Sequence, residues 1–183
     1  KCPMCPQPTK MTRSKKLLDF ELYKTILDSN HFIREVDLFN WGEPILHPKF
    51  TDFIRYAADK RIFVRTITNA TLLTANKAED IINAGINEII FSIDNTGDEY
   101  EKIRGVPFAK TIENVKYFIS YAKKQEKDIL IGINITKSSF NTKVLDTAVR
   151  AISNLGVDNI VINDCQEYSQ ELFQRASRCI EPY

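Results

Sequence analysis

Glu88-Ile89-Ile90-Phe91-Ser92-Ile93 and Ile129-Leu130-Ile131-Gly132-Ile133-Asn134-Ile135 are nearly continuous in β-branched and apolar residues. Strands read this way when they pair in parallel and are buried on both faces. Outward from these two, further strand-like runs begin near Glu35, Ile62 and Asn159, so the five starts fall 27, 26, 41 and 30 residues apart. That spacing leaves room for a helix between each pair. The intervening segments carry helical periodicity: Tyr23, Ile26 and Leu27; Phe50, Phe53, Ile54 and Ala57; Ala78, Ile81 and Ile82; Ile112, Val115, Ile119 and Ala122; Val144, Leu145, Ala148 and Ile152. Asp19, Thr74, Thr111 and Thr142 stand where N-caps belong, Pro48 suits a first helical turn, and Gly85 and Gly156 suit C-terminal stops. Repeated βα units with right-handed crossovers predict a parallel α/β fold, either an open doubly wound sheet or a barrel-like one.

Composition narrows the partners. Over 183 residues, 25 Lys and Arg face 24 Asp and Glu, a formal charge of +1 that gives no electrostatic case for nucleic acid or an anionic membrane. The chain has no apolar run of about 18 residues, and its start, Lys-Cys-Pro-Met-Cys-Pro, has none of the parts of a signal peptide. A cytoplasmic protein folding as one domain is the expectation. Four cysteines are too few for a disulfide scaffold, and two of them are packed as Cys2-Pro3-Met4-Cys5. Such a pair reads as half of a zinc site, a redox dithiol, or part of an iron-sulfur loop. Only His31 and His47 could add imidazole ligands, and neither has ligand spacing.

Polar and special residues cluster where the strands end, in Asn40-Trp41-Gly42-Glu43-Pro44, Thr68-Asn69-Ala70, Ser92-Ile93-Asp94-Asn95 and Asn163-Asp164-Cys165. Chemistry in βα folds is built at that edge. The cysteine loop, then Trp41-Gly42-Glu43-Pro44, then Thr68-Asn69-Ala70-Thr71-Leu72-Leu73, then Ser92-Ile93-Asp94 with Tyr100-Glu101-Lys102-Ile103-Arg104-Gly105, resembles the radical S-adenosylmethionine (SAM) superfamily in order and spacing. Gly42-Glu43-Pro44-Ile45-Leu46-His47-Pro48 is similar to the G-E-P-L-L-H-P form of the branch with C-terminal SPASM or twitch extensions.

The resemblance implies a partial (β/α)6 TIM-like barrel, parallel and truncated at its N-terminus, with residues 1–176 as an incomplete core and 177–183 as the start of an extension. It implies a [4Fe-4S] cluster held by a C-x-x-x-C-x-x-C loop. Cys2 and Cys5 match its second and third cysteines, so the first ligand is expected upstream of Lys1. The family's activity is reductive cleavage of SAM to a 5′-deoxyadenosyl radical that abstracts a hydrogen atom, here from a peptide or small-molecule substrate. The electron comes from a donor such as a flavodoxin or ferredoxin. The alternative class is a non-catalytic zinc-binding or scaffold α/β module.

Residue by residue, Gly42, Glu43 and Pro44 match the motif that sets backbone acceptors against the SAM amino group; Gly permits close approach and Pro fixes φ. Ser92 and Asp94 alternate with Phe91 and Ile93, so they point to one side of a strand and either meet ribose hydroxyls or cap the strand end. Asn69 bonds either SAM or its own turn. Arg104 offers a guanidinium to a carboxylate of SAM or substrate, or makes a salt bridge. Asn134 and Asn163 break apolar strands and line the cavity or are satisfied by neighbours, Asn163 near the family's adenine-contacting strand. His47 orients a loop or caps the following helix. Arg178-Cys179-Ile180-Glu181-Pro182-Tyr183 is similar to the entry of a SPASM or twitch extension, which makes Cys179 a ligand of an auxiliary iron-sulfur cluster.

Overall fold

A computed structural model describes residues 5, 11, 14, 16–138 and 141–165. Cys2, Cys179 and the expected extension at 177–183 lie outside the described residues. Helices and strands alternate along the chain: α1 (Phe20–Ser29), β1 (Glu35–Asp37), a 3-10 turn (Pro44–Leu46), α2 (Phe50–Asp59), β2 (Phe63–Thr68), α3 (Ala75–Asn83) and β3 (Glu88–Ser92). Then come α4 (Gly97–Arg104), α5 (Phe108–Lys124), β4 (Leu130–Lys137), a second 3-10 turn (Thr142–Val144), α6 (Leu145–Ser153) and β5 (Asn159–Asp164). The strands form one sheet in the order β1-β2-β3-β4-β5, every pair parallel. Sequential order with parallel pairing is that of a barrel wall, and it resolves the choice that periodicity left open.

The helices cover one face of the sheet. Val64, Ile89, Phe91, Ile131 and Ile133 point into the core shared with α2, α3, α5 and α6, and the Phe91 ring meets Phe118 of α5 edge-on at 5.7 Å. Full burial of such side chains stabilises by about 1.5–3 kcal/mol each. The opposite face is only half-buried: β2 and β3 alternate strictly between the two environments, so β3 is not buried on both faces as its composition predicts, while β4 has Ile131, Gly132, Ile133 and Ile135 buried. An open barrel wall leaves its concave face to whatever fills the barrel.

The sheet's two edges differ. β1 is short and carries Glu35 and Asp37, both ion-paired to Arg65, whereas β5 runs six residues with Val161 and Ile162 exposed at 45% and 46%.

Several predicted boundaries hold. Asp19 caps α1 by accepting from Leu22 N at 2.9 Å, and Thr74 caps α3 through Lys77 N at 3.4 Å. Thr111 does not cap. α5 starts earlier, after Pro107, with its first N–H taken by Glu101 of α4 at 3.0 Å, and the Thr111 hydroxyl is buried donating to Pro107 O at 3.2 Å. Thr142 likewise opens the 3-10 turn before α6, and Pro48 precedes α2 in a turn.

Gly85 follows the C-cap of α3 at φ +95°, and a Cβ there would lie 2.9 Å from the Ala58 Cβ of α2. Gly85→Ala therefore combines backbone strain with a backbone-anchored clash. It is expected to lower stability by more than about 1 kcal/mol, read as a shift in the denaturation midpoint. An unchanged midpoint would mean that α2 and α3 are not packed this closely.

Candidate functional site

The loop after β1 turns tightly: Trp41 N donates to Asn40 Oδ1 at 2.8 Å and Gly42 N to Asn40 O at 2.9 Å. Glu43 then stands at φ −113°, capping the 3-10 turn that Pro44 opens. Its carboxylate does more than cap. Oε1 accepts from Ile45 N at 3.2 Å and from the Thr68 hydroxyl at 2.6 Å, while Oε2 accepts from Asn69 N at 2.9 Å. Charge-assisted bonds of this kind are about twice as strong as neutral ones. The turn after β1 is thus tied to the end of β2. Thr68 Oγ1 in turn accepts from Ala70 N at 3.1 Å, and Ala70, buried at φ +57°, has its carbonyl held by Asn114 of α5 at 2.9 Å. A non-glycine residue in the left-handed region persists only where its surroundings fix it. Asn69 Oδ1 accepts from Thr71 N and Thr71 Oγ1, so that oxygen serves its own turn.

His47 closes the same loop from the other side. Its Nδ1 accepts from Lys49 N at 3.1 Å, so the ring proton sits on Nε2, which donates to Leu18 O at 2.9 Å. The imidazole also meets the Phe53 ring edge-on at 4.8 Å. His47 orients the loop, as its position predicts, and fixes the chain entering α1.

At the end of β3, Ser92 and Asp94 part company. The Ser92 hydroxyl is half-buried and makes no hydrogen bond among the described residues. Asp94 is fully buried: Oδ1 accepts from Thr136 N of β4 at 2.8 Å, and Oδ2 forms an ion pair with Arg104 Nη2 at 2.6 Å. Asn141 donates to both Asp94 O and Thr136 O, at 2.8 and 3.0 Å, and accepts from Ser138 N at 2.8 Å. The Arg104 guanidinium comes from the last residue of α4, its side chain 15% exposed. Nδ2 of the neighbouring Asn95 is buried without an acceptor among the described residues.

On the concave face the register sets side chains in rows. Asp37, Arg65, Glu88 and Leu130 form the lowest row, then Ile67, Ile90, Gly132 and Asn159, then Ser92, Asn134 and Val161, with Asn163 opposite Thr136 at the rim. The lowest row is an ion-pair network in which Asp37 grips Arg65 at 2.8 Å, and that hydrogen bond is the main reason the guanidinium pKa is raised. Above it, Gly132 leaves room for Asn159, whose Oδ1 would lie 2.5 Å from a Cβ. Asn163 Nδ2 donates to Asn134 Oδ1 at 2.6 Å.

The site residues read from the sequence therefore gather into three pairs at one sheet edge: Glu43 with Asn69, Asp94 with Arg104, and Asn163 with Asn134, with Ser92 beside Asn134 in register. Gly42 is exposed and Pro44 half-buried at the same edge. Sequence reasoning missed Thr136 and Asn141, the partners that hold Asp94. Cys5 and Cys165 are half-buried free thiols, and among the described residues no group of three or more His, Cys, Asp or Glu side chains is placed to hold a metal ion.

The model of the Radical SAM superfamily matches residues 1–142. The chain is 26% identical over 153 residues to the tungsten-containing aldehyde ferredoxin oxidoreductase cofactor-modifying protein of Pyrococcus furiosus, covering 80% of this chain and 43% of that protein. It is 24% identical over 180 residues to the PqqA peptide cyclase of Bradyrhizobium diazoefficiens, covering 96% of this chain and 46% of the cyclase. The chain thus spans less than half the length of these curated relatives. In fold it is similar to Streptococcus suis SuiB bound to its precursor peptide SuiA, with a TM-score of 0.69 at 16% identity over 98% of this chain and 43% of SuiB.

Proposed function

Because this chain belongs to the Radical SAM superfamily, we propose that it is the core of an enzyme that reductively cleaves SAM and abstracts a hydrogen atom from a peptide substrate. The observation that carries this reading is the family match over residues 1–142 joined to one open sheet edge bearing its motifs. The PqqA cyclase acts on a peptide by its name, and SuiB is bound to a precursor peptide; both favour a peptide over a small molecule.

The donor set at the edge fits SAM. The Ser92 hydroxyl, Asn69 Nδ2 and Asn163 Oδ1 make no hydrogen bond among the described residues. These groups suit ribose hydroxyls and a purine edge, and an apolar concave row of Ile67 and Ile90 lies beneath Ser92. Cys2 and Cys5 supply two thiolates with iron-sulfur spacing, matching the second and third cysteines of the C-x-x-x-C-x-x-C loop. When bound, the cluster supplies the electron that breaks SAM. Gly42 and Pro44 present backbone acceptors to the SAM amino group, Ser92 and Asn69 orient its sugar, and Asp94 with Arg104 keeps the β3 and β4 ends in register around it. A donor such as a flavodoxin or ferredoxin supplies the electron in the cytoplasm. No described helix is long and apolar enough to cross a membrane. Residues 177–183 open a C-terminal extension in which Cys179 holds an auxiliary cluster.

The longer protein, purified without oxygen and reconstituted with iron and sulfide, is expected to be brown, to carry at least four irons, the content of one such cluster, and to yield 5′-deoxyadenosine from SAM on reduction. A colourless protein holding zinc would overturn the reading in favour of a structural module.

A further inference from the structure

Glu43 sits in the motif that faces SAM, yet both of its carboxylate oxygens are engaged inside the chain. Three donors converge on them: Ile45 N and Thr68 Oγ1 on Oε1, and Asn69 N on Oε2. We propose that Glu43 is a positioning residue, which serves SAM by fixing the Thr68–Ala70 turn against the Gly42–Pro44 turn rather than by touching the cofactor. The inference rests on the family reading above and assigns the side chain a different task from its backbone.

The hydrogen-bond accounting makes the demand specific to a carboxylate. Every group facing Glu43 is a donor, and two of the three are backbone N–H groups that can do nothing else. In Glu43→Gln the amide nitrogen must take one of the two oxygen positions. At Oε2 it confronts Asn69 N–H, and at Oε1 it confronts Ile45 N–H; either way one donor loses its acceptor. The consequence propagates, because Thr68 Oγ1 also accepts from Ala70 N, and Ala70 is the buried left-handed residue of the turn. Loosening Glu43 lets that backbone relax and carries Asn69 away from the edge where its Nδ2 waits.

Thr68 supplies the test, being 2% exposed and so unable to touch a ligand. In the reconstituted full-length protein, SAM affinity would be measured by equilibrium dialysis for wild type, Glu43→Gln, Thr68→Val and the double variant, with the visible cluster absorbance recorded in each. Each single change is expected to weaken SAM about tenfold, equivalent to about 1.4 kcal/mol, and the double variant to be no weaker than Glu43→Gln alone, since both cut one chain of bonds. Hydrogen exchange in a peptide spanning residues 68–71 is expected to quicken in both single variants without SAM. Losses that multiply in the double variant, or a Thr68→Val affinity equal to wild type, would overturn the positioning role while leaving the family reading in place. The Thr68→Val arm decides the matter even if Glu43→Gln fails to fold. A wild-type protein that binds no SAM overturns the parent reading and this inference with it.

Discussion

Asp94→Ala is expected to destabilise the protein by about 3–5 kcal/mol, the cost of removing one partner from a buried ion pair. The carboxylate is fully buried, and its loss takes the ion-pair acceptor away from the largely buried Arg104 guanidinium and leaves Thr136 N–H without the oxygen it donates to. For a chain of this size that lowers the melting temperature by roughly 6–20 °C. Asp94 also joins three elements, so the damage reaches beyond one contact: the β3 end, the β4 end and the C-terminus of α4 separate together. Thermal unfolding of the single variant and of an Asp94→Leu/Arg104→Leu pair distinguishes this account from simple cavity formation. The pair is expected to be the milder change, because it leaves no buried charge behind. A single variant within about 1 kcal/mol of wild type would show that the ion pair does not hold the edge.

Cys5→Ser is expected to abolish the SAM-cleaving cluster altogether. A hydroxyl remains protonated at neutral pH where a thiolate binds iron, and a three-thiolate site reduced to two leaves irons open to water. In the longer protein the expected result is loss of about four irons per chain and no detectable deoxyadenosine. On the proposed assignment, an auxiliary cluster is expected to survive the change, whereas Cys179→Ala is expected to remove that cluster and spare the first. Iron content equal to wild type in Cys5→Ser would sink the ligand assignment.

Much of the architecture was legible because it is written in short-range terms. The spacing of Glu35, Ile62, Glu88, Ile129 and Asn159 anticipates the starts of the five described strands to within one residue, and Asp19 and Thr74 cap where their types predict. What escaped depends on contacts across the chain. α4 is polar along most of its length, Gly97-Asp98-Glu99-Tyr100-Glu101-Lys102-Ile103-Arg104, with too few apolar positions to show a stripe. Thr111 has the composition of a cap, but Glu101, from the preceding helix, takes the first N–H of α5. At the site, the structure brings Glu43, Asn69, Asp94, Arg104, Asn134 and Asn163 together at one sheet edge, and which of their polar atoms are engaged became visible only with their partners. Asp94 stands two residues past Ser92, just beyond the end of β3, yet 42 residues separate it from Thr136, the group that claims its carboxylate. Glu43 is the same case in milder form. No periodicity announces a bond to Thr68, although a polar residue at the end of each of two adjacent strands is the signal to look for.

The contrast between the sheet's edges bears on how the protein behaves in solution. At β1 the three-residue length and flanking carboxylates discourage any foreign strand from adding on. β5 pairs with β4 on its inner side, and among the described residues no strand pairs with its outer side, where the six-residue strand carries Val161 and Ile162 exposed and only Asp164 as a charged residue. A strand edge left open in this way is a template for self-association. This span produced by itself should drift toward β-rich aggregates through β5, and Ile162→Lys should keep it dispersed, the electrostatic gatekeeping that β1 already has.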